Sequence, residues 1–128
     1  MPRSWWLIPV LIVAGAVAST AAPASAAKRF EDSYASPTGD YAQSVYRLDG
    51  VRYLEFATFS LRGKLRLCVT TPDGERTCKR RTLREDDKGI LVTKTRWSKH
   101  FPRGGRGTYR VRFSQGSFRA PVMKFRVG

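Results

Sequence analysis

The chain has one histidine and two cysteines in 128 residues, and only ten acidic side chains against 24 Lys and Arg. Each scarcity removes a class of chemistry. With His100 as the sole imidazole, a histidine-rich metal site or a histidine relay lacks its parts. With only Cys68 and Cys78, pairing of the two leaves no thiol as a nucleophile. Past residue 26 no long apolar run occurs, so nothing there is suited to span a bilayer. No long amphipathic helix is apparent either, which argues against a membrane-active cationic toxin.

What is present starts with an export signal. Arg3 precedes an uncharged apolar core from Trp5 to Ala18, and small residues follow as far as Ala24-Ser25-Ala26, a small-x-small cleavage pattern. That core is about 14 residues long, short of the roughly 18 to 20 of a membrane-spanning helix. Residues 1–26 are therefore expected to be removed. The mature protein is expected to be residues 27–128, secreted, soluble and monomeric, with no transmembrane segment and no cofactor.

Removing Arg3 leaves 23 basic against ten acidic residues, a net charge of +13. The excess is unevenly placed. Residues 28–60 hold four basic side chains (Lys28, Arg29, Arg47, Arg52) and five acidic ones, and are close to neutral. Residues 61–128 carry almost all the surplus, which bears on partners and association rates rather than on fold. Outside a cell the candidate partners are phosphate-bearing wall polymers, acidic polysaccharides, anionic lipid head groups and nucleic acid.

From residue 41 the chain reads in period two. Residues 28–40 lack a period and contain Pro37 and Gly39, so they are expected to be an irregular lead-in with at most a short first strand. Strands are expected over Tyr41–Leu48, Val51–Ser60, Lys64–Thr70, Arg76–Leu83, Ile90–Trp97, Thr108–Ser114 and Ala120–Val127. Asp49-Gly50, Pro72-Asp73-Gly74 and the Glu85–Gly89 segment supply turns. About seven short strands and no convincing helix predict an antiparallel sandwich or barrel.

The Pro72-Asp73-Gly74 turn sets a register. Pairing Thr71 with Glu75 and counting outward puts Cys68 opposite Cys78, at a non-hydrogen-bonded site where side chains come closest. A disulfide within one hairpin is expected, acting as a staple and not as a redox site. The same register puts Arg66 opposite Arg80, a like-charge pair that is unfavourable unless an anion lies near it. Their strand, polar on both faces, reads as a charge-protected edge, an anion-binding edge, or both.

The last hairpin gives a sharper patch. Arg110 and Arg112 alternate with Tyr109, Val111 and Phe113, while Lys124 and Arg126 alternate with Met123, Phe125 and Val127. Pairing around residue 118 would set Arg110 against Arg126 and Arg112 against Lys124. A slip of two would keep all four on one face. Arg110, Arg112, Lys124 and Arg126 are the main candidate contact for a polyanion, with Arg66 and Arg80 as a second patch. A well-solvated face is the competing reading. The loop 98–107 contains Arg103-Gly104-Gly105-Arg106-Gly107, a single RGG-like copy better explained as a flexible connection. Glu85-Asp86-Asp87 sits in a turn and lacks the ligand ladder of a calcium loop. No catalytic residue is assigned.

Gly105-Arg106-Gly107-Thr108-Tyr109-Arg110-Val111 resembles the entry to the penultimate strand of immunoglobulin-like sandwiches, where a Tyr hydroxyl caps the corner. The resemblance spans roughly residues 41–128 and implies that Trp97 is a core aromatic. The inter-sheet Cys–Trp–Cys arrangement of antibody domains is absent. The leader and the Ala/Arg/Gly-rich composition resemble small exported proteins of high-GC Gram-positive bacteria. The expected protein is a secreted, non-enzymatic binder of an anionic extracellular polymer or cell-envelope surface. The alternative is an extracellular protein-recognition module, a hydrolase inhibitor or envelope-complex subunit, acting through loop 98–107.

Overall fold

The structure, a computed structural model, describes residues 27–128, so the leader expected over residues 1–26 lies outside the described residues. The chain forms β1 (Arg29–Ala35), β2 (Tyr41–Leu48), β3 (Val51–Thr58), β4 (Lys64–Thr70) and β5 (Arg76–Thr82), with short turns between them and alternating apolar side chains clearest in β4. They are followed by β6 (Arg84–Glu85), β7 (Leu91–Arg96), the single helical turn α1 (Trp97–His100), β8 (Gly107–Gln115), β9 (Phe118–Arg119) and β10 (Met123–Val127). Asp49 and Gly50 take φ of 53° and 77° between β2 and β3. Two positive φ angles in a two-residue turn match the twist of the flanking strands.

One sheet runs β1–β2–β3–β7–β6. The other runs β9–β8–β4–β5, with β10 also paired to β8, and every pairing is antiparallel. The strands β2–β3–β7–β6 and β10–β8–β4–β5 stand in the order of an immunoglobulin-like sandwich, and β1 is added at one edge. The faces meet through Leu54, Phe56, Leu65, Leu67, Val69, Val111 and Phe113, all buried. Phe56 and Phe113 touch across the sheets with ring centroids 5.1 Å apart.

The corner geometry is the one the sequence implies. The Tyr109 hydroxyl donates to the Gly105 carbonyl at 2.6 Å and accepts from the Gly104 amide at 2.8 Å. Trp97 packs edge-on to Tyr109 and Phe125, each 5.2 Å away between ring centroids. Replacing Tyr109 by Phe removes both bonds and leaves a shielded loop amide unpaired, so a loss of about 1–3 kcal/mol is expected in denaturant unfolding.

Three expectations need correction. The lead-in contains a seven-residue strand, β1, paired with β2 through a bulge between Phe30 and Asp32. Its faces carry no period because, as an edge strand, it is exposed almost throughout. The strand expected over Ile90–Trp97 stops at Arg96, where the chain coils into α1 and turns Trp97 into the core. The strand expected over Ala120–Val127 is broken. Pro121 has no amide to give a ladder, and its carbonyl instead accepts from Gln43 Nε2 at 2.8 Å.

Cys68 and Cys78 form the expected disulfide in direct register, with Cα atoms 4.0 Å apart. This suits the close, non-hydrogen-bonded kind of pair. The staple closes a short loop over a sequence separation of ten. The double variant Cys68→Ala/Cys78→Ala should therefore lose about 3 kcal/mol or less in chemical unfolding.

Candidate anion-binding face

The β9–β8–β4–β5 sheet contains no Asp or Glu in any strand, including β10. Alternation sends Leu65, Leu67, Val69, Tyr109, Val111 and Phe113 inward, and sends their basic neighbours outward. Register then arranges the outer face in rows. Arg80 faces Arg66, Arg66 faces Ser114, and Ser114 faces Arg119. Next comes the disulfide, with Cys68 beside Arg112. In the third row Arg76 faces Thr70, Thr70 faces Arg110, and Arg110 faces Lys124. Arg126 completes the face opposite Thr108.

The structure thus brings all six candidate residues together. Arg66 and Arg80 are not a separate second patch, because β4 pairs with β5 on one side and with β8 on the other. The register of the last hairpin is corrected: Arg110 meets Lys124, and Arg126 meets Thr108. The slip of two keeps all four cations on the outer face. Its cause is the turn, which closes at Gly116-Ser117 and not around residue 118; the irregular Ala120-Pro121-Val122 segment then shifts the ladder by one residue and leaves Arg112 without a basic partner on β10.

Sequence reasoning missed Arg76, Arg119 and Lys64. Arg76 shares the parity of Cys78 and Arg80, so the register already in hand could have found it. Arg119 lies on β9, which pairs with β8 directly after the Gly116-Ser117 turn.

Two shallow grooves cross the face. One, of about 300 Å³, is lined by Cys68, Thr70, Arg76, Arg110, Arg112 and Arg119 among others. The second, of about 380 Å³, is bounded by Arg66, Arg76, Arg80, Arg112, Ser114 and Arg119 among others. Arg112 stands at the centre, and its shielded Nε has no hydrogen-bond partner. Among the described residues the ion pairs are Lys28–Glu55 and Arg52–Glu31, so none neutralises the face. Glu31 and Asp32 lie beside the β10 end of the face, Glu31 near Lys124 and Arg126. Glu31 is gripped by Arg52 at 2.5 and 2.8 Å, while Asp32 accepts from the Lys124 backbone amide at 2.8 Å.

The polar inner side of β5 is also explained. Arg81 reaches under the edge and donates to the Thr95 hydroxyl at 2.9 Å, satisfying a fully buried side chain. His100 is held below the usual imidazole range by partial burial and by Arg81, Lys99 and Lys79 around it. The expected turn forms over Asp86–Gly89, directly after Glu85 on β6: the Asp86 carboxylate accepts the Lys88 and Ile90 amides at 2.8 and 2.9 Å. Among the described residues no cluster of His, Cys, Asp and Glu could hold a metal ion, and no helix is long and apolar enough to cross a membrane.

Directly opposed like charges cost stability. Arg80→Thr should therefore leave thermal stability unchanged or raise it by about 0.2–1 kcal/mol, with the larger gain at low salt. A clear destabilisation would mean that Arg66 and Arg80 do not repel.

Fold and face together define an antiparallel immunoglobulin-like sandwich with one unneutralised cationic sheet. No family model matches the chain, and neither the curated proteins nor the solved structures yield a match.

Proposed function

We propose that this protein is a secreted, non-enzymatic module that binds an anionic extracellular polymer or the anionic surface of a cell envelope. The observation that carries the reading is a five-strand sheet with no acidic residue in its strands and an outer face on which Lys and Arg alternate with Ser, Thr and the disulfide. A linear polyanion laid across the grooves would meet Arg80, Arg66, Arg112, Arg110 and Lys124 in succession. Each contact would release a condensed counterion, and that release would supply most of the affinity. The outward charges also discourage strand addition at the β5 edge, so one set of side chains serves solubility and binding.

Co-sedimentation with a washed bacterial cell-envelope fraction tests the proposal. The protein should pellet at low salt and be released as salt rises to about 0.5 M. Arg66→Ala/Arg110→Ala should weaken retention, while Arg103→Ala/Arg106→Ala in the 98–107 loop should leave it close to the parent. Retention that survives high salt and depends on the loop would overturn the reading in favour of protein recognition.

A further inference from the structure

A cleft with a volume of about 620 Å³ lies away from the outer face, at one end of the sandwich. The β2–β3 hairpin contributes Arg47 and Arg52 to its wall, the end of β7 contributes Arg96, α1 contributes Lys99, and the following loop contributes Arg103 and Arg106. Only Arg126 is shared with the face. No Asp or Glu side chain lines the cleft, and of its basic groups only Arg52 is in an ion pair. So dense a ring of cations is self-repelling and favours an anion at its centre.

The cleft is also preformed. Tyr109 ties down the arginine loop through Gly104 and Gly105. Gly104 approaches the β4–β5 turn so closely that a Cβ there would lie 2.6 Å from that of Thr71. Arg52 is fixed by Glu31 and lies over the rings of Phe125 and Trp97, 4.5 and 5.4 Å from their centroids. Trp97 is part of the wall, is 6% exposed, and leaves its indole N–H buried with no partner. A buried donor without an acceptor is unfavourable, so the indole N–H is sensitive to changes in the wall around it.

We propose that this cleft is a discrete binding site for a phosphate ester carried on a sugar-sized group. Arginine predominates over lysine in the wall, and its planar fork suits bidentate contact with phosphate oxygens. Val51 and Val127 offer apolar surface to the attached group, while Ser98 offers a hydroxyl. The volume is within the range of small-molecule sites. The ligand is a free sugar phosphate or the phosphorylated end of a longer chain. This site does not depend on the reading of the cationic face.

The test is titration of the protein with glucose 6-phosphate, alongside inorganic phosphate and glucose, at about 0.15 M salt. Calorimetry gives the affinity, and the Trp97 indole N–H resonance reports the cleft itself. The expected result is saturable binding at least about tenfold tighter than to either fragment, with a shifted indole signal. Arg103→Glu/Arg106→Glu should weaken it by at least about tenfold, whereas Arg66→Ala/Arg80→Ala should leave it within about twofold. Unchanged melting temperatures confirm that both variants fold. A polymer carrying terminal sugar phosphates that competes in the parent identifies the chain end as ligand; failure to compete identifies the free molecule. Equal weakening by both variants, equal affinity for inorganic phosphate, or no saturation by about 10 mM would overturn the site.

Discussion

Replacing Arg110, Arg112, Lys124 and Arg126 together by Ala is expected to lower affinity for a soluble polyphosphate by about 100-fold or more at 0.1 M salt. The four residues stand on adjacent strands of one face, with no ion pair to hold them. Each cation that contacts a phosphate is worth up to about tenfold at this salt, and partial solvation reduces the sum. The fold should survive, because the variant removes no inward-facing side chain and relieves the Arg110–Lys124 opposition. Fluorescence anisotropy of labelled polyphosphate, read beside a melting curve, separates loss of charge from loss of structure. An affinity within about threefold of the parent would show that the hairpin is not the contact.

The opposite partition is expected for Phe113→Ala. Phe113 is fully buried on β8, directly between the strand positions that project Arg112 and Ser114 outward. Its ring meets Phe56 from the other sheet. Truncation leaves a cavity where the two sheets close, and a loss of about 3–5 kcal/mol is expected in urea unfolding. For a domain of this size that corresponds to a melting point lower by roughly 10 °C or more. Below the transition, polyanion affinity should stay close to the parent value, because no charge is removed. A loss of under about 1 kcal/mol would mean that the sheets do not close on this ring.

Much of the architecture was legible in the sequence because short-range rules governed it. The Thr71–Glu75 turn fixed the disulfide register, and Leu65, Leu67 and Val69 alternated cleanly onto the inner face. The Tyr109 corner could be read from a glycine-rich approach to a single aromatic. What escaped depended on distant partners. β1 shows no periodicity, since its strand character comes from pairing with β2 and not from a buried face. Trp97 is in the core as expected, but the helical turn α1 that delivers it there depends on Tyr109 and Phe125 receiving the ring, and both lie later in the chain.

The candidate face shows the same division. Parity identified Arg66, Arg80, Arg110, Arg112, Lys124 and Arg126 as outward within their own hairpins. That the two hairpins form one face follows from β4 pairing with β8, some forty residues apart, which no local pattern encodes. The end cleft is more distant still from sequence logic. Its cations come from four separate segments, and Arg47, Arg52 and Arg96 belong to strands that read simply as structural.

The central claim is that affinity comes from charge spread across one sheet. It is tested most directly by measuring the binding constant for polyphosphate over a range of salt, from about 0.05 to 0.5 M. The account predicts a straight log–log plot with a slope of about −4 or steeper, made shallower in the four-residue variant. A slope near zero, with tight binding maintained throughout, would contradict it.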